Sequence, residues 1–309
     1  MATMVVGGSA CGEIGSNLAK LLKAKYFRIE KKDFPDGEFV VKVPFDAKGN
    51  DVIIVQSTYA PQDRHIMELI FIADALKDMH AKSITAVVPY LAYMRQDKRF
   101  LNGQVVSSHM IMRLLNAAGI GRLVTVQPHK EKPLSLFKGR VDSIMPIRAL
   151  MKRVSHELSD PYVLAPDIGG LELAKTAAKI LGCGYTHLDK ERNPLTGIPG
   201  IKKKPHERFD GKQVVIVDDM VSTGTTIMLA SRIARENKAI GRISEELSRN
   251  NSNVILRLFK KGRIVELKRD AKMRFSRLSR LESGAARYVQ LLDAIKEKSE
   301  GAKPLPHRP

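Results

Sequence analysis

Two hydrophobic periods alternate along this chain. Short bursts rich in β-branched residues, "TMVVGG" (3–8), "DVIIVQS" (51–57), "SITAVVPY" (83–90) and "RLVTVQPH" (122–129), have the length of strands. Between them, apolar residues recur every three or four positions in "EIGSNLAKLLKA" (13–24), "DRHIMELIFIADALKDMHA" (63–81) and "SSHMIMRLLNAAGI" (107–120), the period of a helix with one buried face. A second series starts near 145. It runs helix (145–158), strand and loop "YVLAPDIGG" (162–170), helix (171–182), strand "YTHLDKE" (185–191), strand "QVVIVDD" (213–219) and helix (225–239). Repeated βα units predict an α/β protein of two tandem domains, each a mostly parallel sheet flanked by helices. The shared order of elements reads as an internal duplication. No strand is predicted directly after the helix at 225–239. An amphipathic strand pair is expected over 253–267, with a Lys-Gly turn, and then a basic helical stretch.

Composition narrows the picture. The chain has 309 residues, of which 43% are hydrophobic, enough for two domains with buried cores. Its longest uncharged apolar stretch, "SITAVVPYLAYM" (83–94), is too short to span a bilayer and contains a proline. No basic and apolar leader opens the sequence, so a cytoplasmic protein is expected. Cys11 and Cys183 sit far apart in unrelated settings, which predicts neither a disulfide framework nor a zinc site. The net charge of +19 suits polyanionic small substrates such as nucleotides and sugar phosphates. Residues 241–309 carry 17 Lys and Arg against 8 Asp and Glu. That basic tail offers an alternative surface for nucleic acid, disfavoured because it has few aromatics and matches no nucleic-acid motif.

The stretch with the most chemistry is "VVIVDDMVSTGTTI" (214–227). Two carboxylates, Asp218 and Asp219, follow a strand with no polar residue, at the end where ligands bind in open α/β sheets. Ser222, Thr223, Gly224, Thr225 and Thr226 come next and lead into a helix. Hydroxyls, a glycine turn and a helix N-terminus together make a phosphate cradle. Carboxylates repel phosphate but accept hydrogen bonds from vicinal hydroxyls. A ligand with hydroxyls on one side and a phosphate on the other is a ribose 5-phosphate. A plain helix cap would need far less than two acids and "STGTT".

This stretch resembles the phosphoribosyl-diphosphate (PRPP) motif shared by type I phosphoribosyltransferases and ribose-phosphate pyrophosphokinases, the PRPP synthetases. "FPDGE" (34–38) and "YMRQDKRFLNGQVVSS" (93–108) resemble two signatures of PRPP synthetases that ordinary phosphoribosyltransferases lack. "PDIGG" (166–170) is similar to their pyrophosphate-side segment, and "KER" (190–192) to their catalytic Lys-x-Arg. The chain is thus identified as a member of that family, of the archaeal type, with two phosphoribosyltransferase-like domains. The resemblance implies transfer of diphosphate from ATP to ribose 5-phosphate, giving PRPP and AMP. It implies ATP contacts at Phe34, Asp36, Gly37, Glu38, Arg95 and Gln96, and ribose 5-phosphate contacts at Arg192, Asp218, Asp219 and 222–226. It implies catalytic Lys190 and Arg192 on a Pro/Gly-rich loop (193–200), and Mg²⁺ held near His129 and Asp167. It further implies an ATP-side domain at 1–144, a ribose-phosphate-side domain at 145–240, and a homo-oligomer assembled through the N-terminal domains. No phosphate-loop motif or protein-kinase signature is present, so ATP would be held by these residues.

Two departures from the family pattern stand out. Gln127 occupies the position, two before His129, where the family carries Asp, and a neutral amide does not replace a carboxylate's charge near Mg²⁺. Residues 241–309 do not show the family's closing strand, "HG" turn and strand-helix, and read as a divergent basic segment; loss of those closing strands would expose one edge of the second sheet unless the new segment covers it. These departures motivate one alternative, a catalytically weak regulatory or binding subunit of PRPP-synthetase type; another, a phosphoribosyltransferase, is disfavoured by "FPDGE" and "YMRQDKR".

Overall fold

The computed structural model describes residues 2–192, 199–203, 209–220, 225–237, 239, 241–247 and 254–259, with the backbone alone at 190–192, 199–203, 225, 241–247 and 254–259. The chain divides into two compact units between Ile144 and Met145.

In the first unit the elements run β1 (Thr3–Gly7), α1 (Ile14–Leu22), β2 (Lys25–Arg28), β3 (Glu30–Asp33), β4 (Phe39–Lys42), β5 (Asp51–Val55) and α2 (Gln62–Asp78). They continue with β6 (Ser83–Val88), α3 (Ser107–Ala117), β7 (Arg122–Val126) and β8 (Arg140–Ile144). Six of the strands form one sheet in the order β2-β1-β5-β6-β7-β8, and every pairing is parallel. Alternate residues of a strand serve opposite faces. Val6, Val52 and Ile54 pack with α2 and α3 through Leu69, Ile72, Met112 and Leu115. Their neighbours Val5, Ile53 and Val55 pack with α1 through Leu18 and Ala19. Both faces are covered, which is why these strands read as continuous apolar runs. β3 and β4 stand apart as a two-stranded antiparallel ribbon.

In the second unit α4 (Ile147–Ser155) precedes β9 (Pro161–Ala165), α5 (Leu171–Leu181), β10 (Tyr185–His187), β11 (Asp189–Arg192) and β12 (Pro199–Lys203). Then come β13 (Gln213–Val217), α6 (Thr225–Glu236), β14 (Gly241–Leu247) and β15 (Val254–Phe259). The sheet order is β10-β9-β13-β14-β15, parallel except for the last pair. Val163, Ala165, Val215 and Val217 face α4 and α5. Leu164, Val214 and Ile216 face α6 through Ile227, Ala230, Ile233 and Ala234.

The α/β class and the two parallel sheets agree with the sequence pattern, and several elements differ. β2, the β3–β4 ribbon and β8 are short or charge-rich, and no periodicity betrays them. The segment at 185–191 is two strands with different partners: β10 pairs with β9, a contact extended by the Leu188 N–H donating to the Ala165 carbonyl at 3.1 Å, and β11 pairs with β12. Pro199 and Gly200 belong to β12 and pair with Arg192 and Glu191 instead of extending a loop. A strand does follow α6. β14 lies parallel to β13 and covers the edge that the sequence seemed to leave bare, with β15 antiparallel beyond it. The hairpin therefore lies at 241–259, one element earlier than the pair expected over 253–267, whose second half falls outside the described residues. Its sequence "GRISEEL" carries three charges in seven residues, so the parallel register is the only clue to it. No helix among the described residues is long and apolar enough to cross a membrane.

Candidate active site

β13 delivers the acid pair. Val214 to Val217 are at most 1% exposed, so the strand is fixed on both faces and its carboxyl end is a rigid platform. Asp218 and Asp219 are the next two residues, both half-buried, and the Asp219 N–H donates to Asp218 Oδ1 at 2.9 Å. Of the expected cradle, Ser222, Thr223 and Gly224 lie outside the described residues. Thr225 opens α6, and Thr226 at its second position is half-buried. The first N–H groups of an α-helix have no intrahelical partner and carry a partial positive charge, so this terminus attracts an anion.

Asp167 comes from the adjacent strand. It follows β9, is extended at φ −159°, and its Oδ1 accepts from the Gly169 N–H at 2.9 Å. That hydrogen bond shapes the turn that leads into α5. A Cβ on Gly170 would lie 3.2 Å from the Ala165 Cβ and 3.6 Å from the Val217 carbonyl, so glycine lets this turn press against the end of β13. Asp167, Asp218, Asp219 and the start of α6 thus share one edge of one sheet. Lys190 and Arg192 lie on β11, opposite Ile201 and Pro199 of β12, with a register shift between Asp189 and Lys190. The intervening 193–198 are outside the described residues.

In the first unit "FPDGE" is the tip of the β3–β4 ribbon. The turn is closed by the Phe34 N–H donating to the Glu38 carbonyl at 2.9 Å, the Gly37 N–H to the Phe34 carbonyl at 3.1 Å, and the Glu38 N–H to Asp36 Oδ1 at 3.0 Å. Gly37 has φ +94°, a conformation that a side chain would strain. With the backbone satisfied internally, the Phe34, Asp36 and Glu38 side chains are exposed at the tip, and Lys32 Nζ lies 5.5 Å from the Phe34 ring centroid. The turn chemistry that closes the ribbon also leaves these side chains exposed.

Arg95 and Gln96 follow β6, and His129 follows β7, so these come from the carboxyl ends of neighbouring strands. Arg95 is exposed and Gln96 half-buried. The Gln96 carbonyl accepts from the Ser108 N–H at 3.3 Å and from Ser108 Oγ at 2.9 Å, tying this segment to the start of α3. His129 is half-buried. Gln127 has φ +40°, and its N–H donates to the Ile144 carbonyl at 3.0 Å, so the β7 exit bends sharply before the histidine. Among the described residues no group of three or more His, Cys, Asp or Glu side chains is gathered as a metal cage.

Sequence reasoning missed a buried polar set behind this edge. The Ser9 N–H and Oγ donate to the two oxygens of Glu68 at 2.6 and 2.7 Å, and Lys31 Nζ donates to Glu68 Oε2 at 2.9 Å. The Ala10 N–H donates to Gln56 Oε1 at 3.0 Å, and Thr58 Oγ1 donates to the Tyr90 carbonyl at 2.7 Å. The available signal was Glu68 itself, a charge within the stripe His65, Leu69, Ile72 and Leu76 of α2.

Comparison with known proteins fits this arrangement. Residues 3–119 match the model of the N-terminal domain of ribose phosphate pyrophosphokinase, and 141–255 match that of the phosphoribosyl transferase domain, which takes in β14. The chain is 42% identical over 231 residues to a ribose-phosphate pyrophosphokinase of Saccharolobus solfataricus, covering 75% of this chain and 79% of the relative. To that of Sulfurisphaera tokodaii it is 43% identical over 236 residues, covering 76% and 81%. Among solved structures, the phosphoribosylpyrophosphate synthetase of Mycobacterium smegmatis superposes with a TM-score of 0.72 at 29% identity, over 80% of this chain and 81% of that one. With two mostly parallel sheets, an acid pair at the end of β13, family models matching both halves and relatives 42% identical over three quarters of its length, the chain belongs to the ribose-phosphate pyrophosphokinase family.

Proposed function

We propose that this protein is a ribose-phosphate pyrophosphokinase, which transfers the diphosphoryl group of ATP to the C1 hydroxyl of ribose 5-phosphate. The observation that carries the reading is the acid pair Asp218–Asp219 between a fully buried strand and a helix N-terminus. On this reading the carboxylates accept hydrogen bonds from the ribose hydroxyls. The start of α6, with Ser222, Thr223, Gly224, Thr225 and Thr226, receives the 5-phosphate. The β3–β4 tip presents Phe34 to stack on adenine, with Asp36 and Glu38 as acceptors for its amine, while Gly37 makes the turn. Arg95 supplies a planar fork for phosphate oxygens, beside Gln96. The domain division is then an ATP side at 1–144 and a ribose-phosphate side that begins at 145 and, because its sheet takes in β14 and β15, runs past the boundary expected at 240 into the basic segment 241–309.

In the reaction the C1 oxygen attacks the β-phosphorus, the bond from that phosphorus to the oxygen bridging it to the α-phosphorus breaks, AMP leaves, and the hydroxyl proton is lost. Lys190 and Arg192 neutralise negative charge that grows on the transferred group, and Arg192 also contacts the sugar phosphate. Phosphoryl-type transfer is driven by such positioning and charge stabilisation. Hard oxygen donors and few protein ligands suit magnesium, which keeps several waters and binds phosphates. The half-buried Asp167 supplies such an oxygen donor, and the half-buried His129, a nitrogen donor, would hold an ion only together with phosphate oxygens and waters. The metal supplies charge neutralisation of the phosphates. Gln127 leaves the His129 position one carboxylate short, so magnesium there is bound more weakly than with an aspartate. A homo-oligomer through the N-terminal units is part of the same proposal, and sedimentation of the full chain would read it.

The test is AMP formation by the purified chain with ATP, ribose 5-phosphate and Mg²⁺. AMP formed in step with PRPP supports the reading. Nucleotide binding without AMP would assign the chain to the regulatory alternative that Gln127 motivates.

A further inference from the structure

Glu68 has no exposed side-chain surface, yet it is a carboxylate outside the groups assigned to the reaction. It joins two segments far apart in sequence. One is the loop leaving β1, through both Ser9 hydrogen bonds, and the other is β3, through Lys31. On the same face of α2, Arg64 pairs with Asp33, and its guanidinium carbon lies 5.1 Å from the Phe39 ring centroid. Phe71 meets the same ring with centroids 5.4 Å apart, and Lys31 Nζ lies 4.5 Å from it. Positions 64, 68 and 71 share one helical stripe. The inward side of the β3–β4 ribbon, Lys31, Asp33 and Phe39, therefore rests on one side of one helix.

A two-stranded ribbon is marginal by itself, and among the described residues no third strand pairs with this one. Its tip is stabilised inside the turn, but the direction of the tip depends on this seat. Apolar side chains of like volume would often hold such a seat at least as firmly as a buried ion pair does. What Lys31 and Glu68 add is direction, since a buried carboxylate with three donors tolerates only one placement of the ammonium. Gly8 shows how tight the arrangement is: a Cβ there would lie 2.2 Å from Gln56 Oε1 and 2.9 Å from Glu68 Oε1.

We propose that Glu68 is a positioning residue for the purine nucleotide, aiming the turn at 34–38 through Lys31 and locking that aim to the β1 loop through Ser9. The inference rests on the assignment of that turn to ATP, and the experiment separates the two. The chain contains no tryptophan, so Phe34→Trp introduces a single indole at the tip. In that background, Glu68→Gln and the charge-neutral pair Glu68→Gln with Lys31→Gln are compared in the full-length protein. The expected result is lower indole anisotropy in both variants and, with Phe34 restored, a KM for ATP raised about tenfold while the KM for ribose 5-phosphate changes less than about twofold. Unchanged anisotropy, or a parallel loss of every kinetic parameter, overturns the proposal. If ATP leaves the indole emission unperturbed in the Phe34→Trp protein, the assignment of the turn fails, and the anisotropy still decides whether Glu68 aims it. The paired neutral variant keeps the test decisive should Glu68→Gln alone unfold, since it leaves no unpaired buried charge.

Discussion

The two units use one order of elements to opposite ends. β1-α1-β2, the β3–β4 ribbon and β5-α2-β6 correspond in order and sheet position to β9-α5-β10, the β11–β12 ribbon and β13-α6-β14. In each, a ribbon stands between the second and third sheet strands of the series, and a turn follows the first strand. The difference lies at the carboxyl edge. After β5 the chain reads Gln56 and Ser57, at most 1% exposed and hydrogen-bonded to the protein's own loops. After β13 it reads Asp218 and Asp219, half-buried at the strand end. The loop after β1 is filled by Glu68 and Gln56, whereas the turn after β9 leaves Ile168 65% exposed and Gly169 at the surface. One edge carries buried amide and hydroxyl groups and the other carries half-buried acids. In the first unit the exposed acids lie instead on the ribbon beside the sheet, whose tip carries Phe34, Asp36 and Glu38.

That contrast can be broken in four places. The largest effect is expected at the second ribbon, where Lys190→Ala should lower kcat by about a hundredfold to a thousandfold. ATP affinity, measured by equilibrium binding, should stay within about threefold; equal losses in both would move Lys190 from chemistry to ground-state binding. At the open edge, Asp218→Asn with Asp219→Asn removes charge-assisted hydrogen bonds whose joint loss is about 3 kcal/mol. This should raise the KM for ribose 5-phosphate by about a hundredfold and leave the KM for ATP nearly unchanged.

The closed and open loops make a matched pair. Gly8→Ala forces a Cβ into Gln56 and Glu68, while at Gly169 it meets only Asp167 Oδ1, at 3.0 Å. Urea unfolding should register a loss of about 2 kcal/mol for Gly8→Ala and under about 1 kcal/mol for Gly169→Ala. Similar losses would erase the distinction between a loop packed from within and an exposed one. The smallest effect concerns Tyr26, whose hydroxyl lies 3.5 Å from Cys11 Sγ over the first loop. Burial, the Cys11 hydrogen bond and the charge of a Cys11 thiolate all push its pKa well above the usual phenol range. A raised folded pKa means that the stabilisation is complete below the unfolded value, about 10, and is lost as pH climbs from there. Tyr26→Phe should therefore flatten the fall of Tm above about pH 10, compared with the unmodified chain.

Much of this was legible in the sequence, and the rest was hidden for physical reasons. β5 and β13 declare themselves because burial on both faces demands unbroken apolar runs, and Asp218 and Asp219 stand out against that run. Phe34, Asp36 and Glu38 look like an ordinary turn, and they are one; what the structure adds is the ribbon beneath them. β14 is hidden because strand pairing is made by the backbone, whatever its Arg and Glu side chains suggest. Glu68 was unreadable as a clamp because its partners, Lys31 and Ser9, are 37 and 59 residues away. Only a folded chain brings those distances to zero.

The two margins of the second sheet differ in a way that matters in a crowded solution. Among the described residues β10, at one margin, is three residues long and β15, at the other, is six, reading "VILRLF". Composition of that kind favours self-association of partly unfolded chains. Arg257, near the middle, is the single charge in that run, and a charge within an apolar strand lowers its tendency to self-associate.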